Sequence, residues 1–307
     1  VKTRSHYILL MHLIILMWGF TGILGKLIHL EASVIVWYRV VIAFIALGVY
    51  MSIKGGSFKV SSRKKLLQIL VVGIFVGAHW LTFYQSIQLS TASLGILCLS
   101  TTTLHVSWLE PLVMKKKFSK LEMFLSIVVV VGIYIATDNF SPQEYEALGY
   151  GLVSAFFAAL FAVSNTKLVE TESASIISFY ELVAASITLS FVLFFNGQLN
   201  FDLLVMTGED FFWLLFLALA CTSFAFIATI IVMEKLGTFT VSLSINLEPI
   251  YTLILAVFIL HENEVLNSRF YFGALIIVLT VLADTIIKNI SNKREKSKPS
   301  FNSKHVK

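Results

Sequence analysis

Ten apolar stretches recur along the chain, at residues 7–27, 33–53, 66–88, 91–113, 121–138, 147–167, 175–195, 211–233, 239–260 and 269–287. Each approaches the roughly 20 residues with which a helix crosses about 30 Å of hydrocarbon. Their connections are short, and spans 3 and 4 are parted only by the polar Gln88, Ser90 and Thr91. The pattern predicts an all-α integral membrane protein of about ten transmembrane helices. Of the four prolines, only Pro249 falls at the centre of a span, where its missing N–H invites a kink.

Ten spans divide into five and five. Because five is odd, the second half enters the membrane from the opposite side, which is a 5+5 inverted repeat. Residues 1–138 form the first repeat, 139–146 an external linker, 147–288 the second repeat and 289–307 a basic tail. Trp37-Tyr38-Arg39 matches Phe179-Tyr180-Glu181 at a shift of 142, and Gly25-Lys26-Leu27 matches Thr166-Lys167-Leu168 at a shift of 141. A shift of 147 lays Leu89-Ser90-Thr91 on Leu236-Gly237-Thr238 and carries spans 4 and 5 onto spans 9 and 10 without a gap.

Composition excludes a soluble fold. The chain is 57% hydrophobic and 13% charged, against about 45 to 50% and about 25% for soluble domains. Its net charge of +5 follows membrane topology rather than a nucleic-acid footprint. With the N-terminus inside, twenty of the 23 Lys and Arg lie on the cytoplasmic side, leaving only Lys26, Arg39 and Arg269 elsewhere. A wrong span count would scramble that alternation, so both termini are expected in the cytoplasm, at the inner or plasma membrane. The tail has the composition of a disordered segment near an anionic leaflet. Cys98 and Cys221 both sit in apolar runs and read as free thiols. Lys2 and Arg4 ahead of an apolar run imitate a signal peptide, but no small-residue cleavage pattern stands out, so the first span reads as uncleaved.

"LMWGFTGILGKL" in span 1, the span 3 to 4 pattern, and "LEPIYTLILAVFILHE" at the end of span 9 resemble the EamA family of the drug/metabolite transporter superfamily. The resemblance covers nearly the whole chain in both halves. It implies a ten-helix carrier of small organic solutes with a central cavity lined mainly by spans 1, 3, 4, 6, 8 and 9. At the shift of 147, Thr101-Thr102 stands where span 9 has Glu248-Pro249, so that motif is not duplicated.

Ionisable groups within spans are costly and usually face an interior or a wet cavity, which makes them site candidates. Glu248, beside the Pro249 break, either takes a proton or a cationic substrate group, or bonds a neighbouring helix at the kink. Arg39 and Glu181 occupy repeat-equivalent places, one toward each face. They read as opposite gates, as anchors for a substrate's carboxylate and amine, or as snorkelling side chains. Lys26 reads as an interfacial anchor or a partner of Glu31. His79, Trp80 and Tyr84 place an imidazole and two aromatics on span 3, where His79 is either a proton relay or a packed core residue. Thr101, Thr102 and His105 form a polar strip on span 4, unless the hydroxyls bond their own backbone. Trp18, Asn165, Asn246 and Tyr251 complete the cavity candidates. Gly19, Gly22 and Gly25, and the Gly73/Gly77 pair, read as close helix contacts.

No HExxH, GxSxG, Walker A or paired CxxC motif occurs, so no catalytic residue, cofactor or metal is expected. The expected function is a secondary-active permease or exporter for a small metabolite, an amino acid or related compound, working by alternating access. Its partners are the small-molecule substrate and the lipid bilayer, with protons as candidate coupling ion, as a monomer or homodimer. The rival reading is a membrane-embedded enzyme acting on a lipid or isoprenoid. Such an enzyme needs acid, base or metal ligands clustered at one depth, whereas His12, His79 and His105 lie at different depths.

Overall fold

The computed structural model describes residues 4–115, 117–138, 140–236, 241 and 244–296, which are helical with no strand among them. The first half contains α1 (Arg4–Leu27), α2 (Ala32–Ile53), α3 (Arg63–Leu89), α4 (Ala92–Leu99), α5 (Thr102–Met114) and α6 (Lys120–Ala136). The second contains α7 (Pro142–Leu168), α8 (Ala174–Phe195), α9 (Gly208–Leu215), α10 (Ala225–Leu236), α11 (Glu248–Leu260) and α12 (Ser268–Lys296). A π-helical stretch, Phe216–Phe224, joins α9 to α10. Among the described residues, seven helical stretches are long and apolar enough to cross a membrane. Helices α6, α11 and α12 occupy the places expected for spans 5, 9 and 10. The sequence expectations for Lys116, for 239, 240, 242 and 243 in span 9, and for 297–307 lie outside the described residues. Helix α12 runs through Lys296, so the tail expected from 289 begins as helix; its Lys, Arg and Glu are strong helix formers.

Short polar residues start these helices. Ser62, Thr91, Ser119, Ser173 and Thr207 each accept a hydrogen bond from the backbone three residues on, and Ser141 forms a full capping box with Glu144. Each satisfies an orphan N–H at a helix start. Gly55 and Gly197 close α2 and α8 at φ +65° and +69°, the left-handed conformation glycine adopts without penalty. They stand 142 residues apart, the shift that aligns Arg39 with Glu181.

Packing confirms the repeat. Helix α3 packs on α7 and α8, and correspondingly the π stretch packs on α1 and α2. Helix α1 crosses α11 as α7 crosses α4 and α5, while α2 meets α8 and α6 meets α12. Advancing every span by five reproduces this set of pairs. The tyrosines beside Arg39 and Glu181 behave alike. Tyr38 donates to the carbonyl of Leu203 in the loop after α8 (2.8 Å), and Tyr180 donates to that of Phe58 in the loop after α2 (2.9 Å).

Among the described residues two spans are broken, and the breaks correspond. Span 4 turns at Ser100 and Thr101, and span 9 turns at Asn246 and Leu247. The following helices, α5 and α11, each have 13 residues and each end on a left-handed residue, Lys115 or His261, at φ 54°. The structural shift is therefore 146, one residue less than the 147 expected from the ungapped pattern, and Thr102-Thr103 rather than Thr101-Thr102 matches Glu248-Pro249. Hydropathy tolerates a one-residue slip between two apolar spans, whereas a helix start does not.

Glu262, buried at 4% exposure, accepts the N–H groups of Ala92 (2.7 Å) and Ser93 (3.0 Å) at the start of α4. A carboxylate there opposes the positive end of the helix dipole and ties one repeat to the other. Glu262→Ala is expected to cost about 1 to 3 kcal/mol of stability, because two charge-assisted bonds at a helix start are lost. A thermal midpoint unchanged from the native protein would contradict this.

Candidate functional site

A cavity of about 420 Å³ lies between the repeats, lined by residues of spans 1, 2, 3, 4, 6, 7, 8 and 9. Spans 2 and 7 were not among the main lining spans that the family resemblance implied, yet they supply Arg39 and Glu181. Those two were expected toward opposite faces. Each lies eight residues from the N-cap of its helix, Glu31 for α2 and Ser173 for α8. At 1.5 Å per residue that is about 12 Å along each helix, and both side chains line the same cavity.

Arg39 is buried, at 5% exposure, and does not snorkel. Its guanidinium carbon stands 3.9 Å from the centre of the Trp80 ring, a cation–π contact in a site shielded from water. Its Nε donates to Thr222 Oγ1 at 3.0 Å. Thr222 is aimed by the π stretch, whose wider turn lets Thr222 and Ser223 return their hydroxyl protons to carbonyls five residues back, Leu217 and Ala218. Tyr84, fully buried, lies beside the guanidinium and donates to the Thr21 carbonyl at 3.2 Å.

Glu181 is buried, with Oε1 lacking a hydrogen-bond partner and the side chain of Asn165 beside the carboxylate. Its place is set by a close helix crossing. A Cβ on Gly73 would lie 2.5 Å from the Glu181 carbonyl oxygen, so only glycine lets α3 approach α8 this far. Glu248 opens α11 next to Pro249, and its carboxylate lines the cavity without a hydrogen-bond partner among the described residues. Gly19 brings α1 against this segment, with Thr252 Oγ1 donating to the carbonyls of Gly19 and Glu248, both at 3.1 Å.

His79 completes the polar lining. Ser154 Oγ gives its proton to the His79 carbonyl (3.0 Å), so His79 Nδ1 donates to Ser154, 2.8 Å from Oγ and 3.1 Å from the carbonyl. The proton on Nδ1 leaves Nε2 with a lone pair for the cavity. The rest of the wall is largely apolar, with Trp18, Phe83, Phe161 and Phe226 among it.

The cavity thus unites Trp18, Arg39, His79, Trp80, Glu181 and Glu248. Other candidates stand apart. Thr101 and Thr102 spend their hydroxyls on the carbonyls of Cys98 and Leu99, both at 2.6 Å. His105 packs among Trp108 and Phe156. Tyr251 bonds His12 Nδ1 at 3.0 Å, and Asn246 forms the turn ahead of α11. Lys26 donates to the Gln88 carbonyl at 3.4 Å, while Glu31, its expected partner, accepts from Gln198. Thr21, Ser154, Ser178 and Thr222 were not recognised from the sequence. Single hydroxyls carry little signal among 41 aromatic and many aliphatic residues. Among the described residues, no group of three or more His, Cys, Asp or Glu is placed to hold a metal ion.

Residues 5–137 and 146–283 each match the EamA-like transporter family, in agreement with the two repeats. An uncharacterized transporter of Bacillus subtilis (strain 168), YxxF, is 22% identical over 170 residues, which cover 54% of this chain and 54% of that protein. The chain thus spans about half the length of this curated relative. One protein of known crystal structure has the same fold at a TM-score of 0.62, with 13% identity, over 94% of this chain and 99% of its own.

Proposed function

The chain belongs to the EamA-like transporter family, and from that premise we propose that it is a secondary carrier for small zwitterionic metabolites, amino acids with bulky apolar side chains foremost. One observation carries this reading: a guanidinium and two carboxylates converge on a cavity whose remaining wall, apart from His79, Thr21 and Ser178, is aromatic and aliphatic. Arg39 presents a fixed cation to a substrate carboxylate. Glu181 or Glu248 receives the ammonium group, and Trp18, Phe161 and Phe226 take the apolar side chain. With one of the two carboxyls protonated, a zwitterion satisfies both signs at once, whereas a singly charged solute leaves one buried charge uncompensated.

Access to the site alternates as the two five-helix repeats rock about it, the broken spans 4 and 9 flexing at Ser100-Thr101 and Asn246-Leu247. Both termini face the cytoplasm of the plasma membrane. Protons supply the coupling, carried by the Glu248 carboxyl, and the substrate and the proton compete for the same lining.

Uptake of a labelled panel into liposomes holding the purified protein tests this, with and without a pH gradient. Large apolar amino acids are expected to enter well ahead of sugars and of dicarboxylates. Preferential flux of a singly charged panel member, or of one with no ionised group, refutes the substrate class. Glu248→Gln is expected to abolish gradient-driven accumulation, leaving at most exchange of internal for external substrate. Accumulation with native pH dependence in that variant rules out Glu248 as the carrier of the proton.

A further inference from the structure

A second cavity, also of about 420 Å³, lies outside the central site, between the starting end of α3, the closing end of α5 and the closing end of α7. Its walls include Val71, Phe75, Val113 and Leu168, and Lys65 and Lys167 stand at its rim with Gln68 and Ser164. Leu67 (63% exposed) and Val71 (41% exposed) turn outward from the protein, so the groove opens to the acyl region of the bilayer. The rim lies at the membrane face where α3 begins.

The electrostatics of that rim are unusual for a helix start. The first turn of α3 carries Arg63, Lys64 and Lys65 and no acid, although the start of a helix is already its positive end. The buried carboxylate of Glu172 is engaged by the Ser61 N–H and hydroxyl. Lys167 is held across the groove by a 2.6 Å bond from Nζ to the Val113 carbonyl. Among the described residues, neither Lys65 nor Lys167 has a carboxylate within ion-pair distance. The rim therefore carries a cluster of positive charge above an apolar slot, with Lys167 held in place, and an anion with a hydrocarbon tail satisfies both parts.

We propose that this groove binds an anionic phospholipid of the surrounding leaflet, its phosphate between Lys65 and Lys167 and one acyl chain along Val71 and Phe75. Basic pockets between membrane helices hold such headgroups elsewhere. Because the groove borders α3, α5 and α7, the bound lipid bridges helices of the two repeats.

Native mass spectrometry of the full chain, released from nanodiscs of equal phosphatidylglycerol and phosphatidylcholine, tests the proposal. The native protein is expected to retain phosphatidylglycerol over phosphatidylcholine by roughly 30-fold, from two lysines near the surface. Lys65→Gln/Lys167→Gln is expected to bring retention of the two lipids near parity. Should that variant fail to fold, the native protein in about 1 M salt, where the Debye length is about 3 Å, is expected to lose most of the preference. Equal retention of both lipids by the native protein overturns the proposal. So does a preference that survives either the double substitution or high salt.

Discussion

Arg39→Gln is expected to lower uptake of a zwitterionic substrate by at least about 30-fold in kcat/KM, while the protein still folds. Removing one partner of a buried, hydrogen-bonded charge pair costs about 2 to 5 kcal/mol, and about 2 kcal/mol already corresponds to that factor. Folding is expected to survive because a buried guanidinium is itself expensive to desolvate, and glutamine can still reach Thr222. Arg39→Lys is expected to fall between the two. It keeps the positive charge but loses the guanidinium's contact with the Trp80 ring and the fork that fits a carboxylate. Uptake by Arg39→Gln within about threefold of the native protein, measured in liposomes at matched protein content, would remove Arg39 from the binding site.

The second large effect is structural and reaches the site through the backbone. A Cβ at Gly73 would meet the Glu181 carbonyl oxygen at 2.5 Å, the Ala184 Cβ at 2.7 Å and the Glu181 Cα at 2.8 Å. None of these atoms is the flexible end of a side chain, so α3 and α8 must separate. Gly73→Val is expected to cost about 3 kcal/mol or more, at or beyond the upper end of ordinary overpacking, and to displace Glu181 with its helix. Gly149→Val provides the contrast, since nothing lies within 4 Å of a Cβ there. Size-exclusion profiles and thermal midpoints in detergent should show Gly73→Val aggregated or strongly destabilised beside a near-native Gly149→Val. Equal behaviour of the two would mean that the α3–α8 crossing is not tightly packed.

Both predictions concern positions legible in the sequence, Arg39 as an intramembrane charge and Gly73 as half of a GxxxG pair. What was missing was their partner. An arginine eight residues into α2 has the same appearance in a sequence whether it reaches for headgroups or lies under a tryptophan. Ser154 and Thr222 are inconspicuous as letters, but one fixes the tautomer of His79 and the other anchors Arg39. The Thr101-Thr102-His105 strip is the opposite case: in this structure the two hydroxyls bond backbone carbonyls of the same span, and His105 packs against Phe156.

By itself, the order of apolar and polar residues determined that the chain is a helical membrane protein of two topologically opposed halves. Hydrophobic length and loop charge are properties of each segment, legible one span at a time. The tertiary structure alone decided that spans 2 and 7 enter the cavity, that the repeat register is 146 across spans 4 and 9, and which charges meet. Those outcomes depend on rotation and depth within an assembled bundle, where glycine contacts set helix separation and a helix start sets the register to a single residue. In water-free surroundings the cost of an unpartnered polar group is high enough to enforce such choices, but that cost arises only once the neighbouring helices are in place.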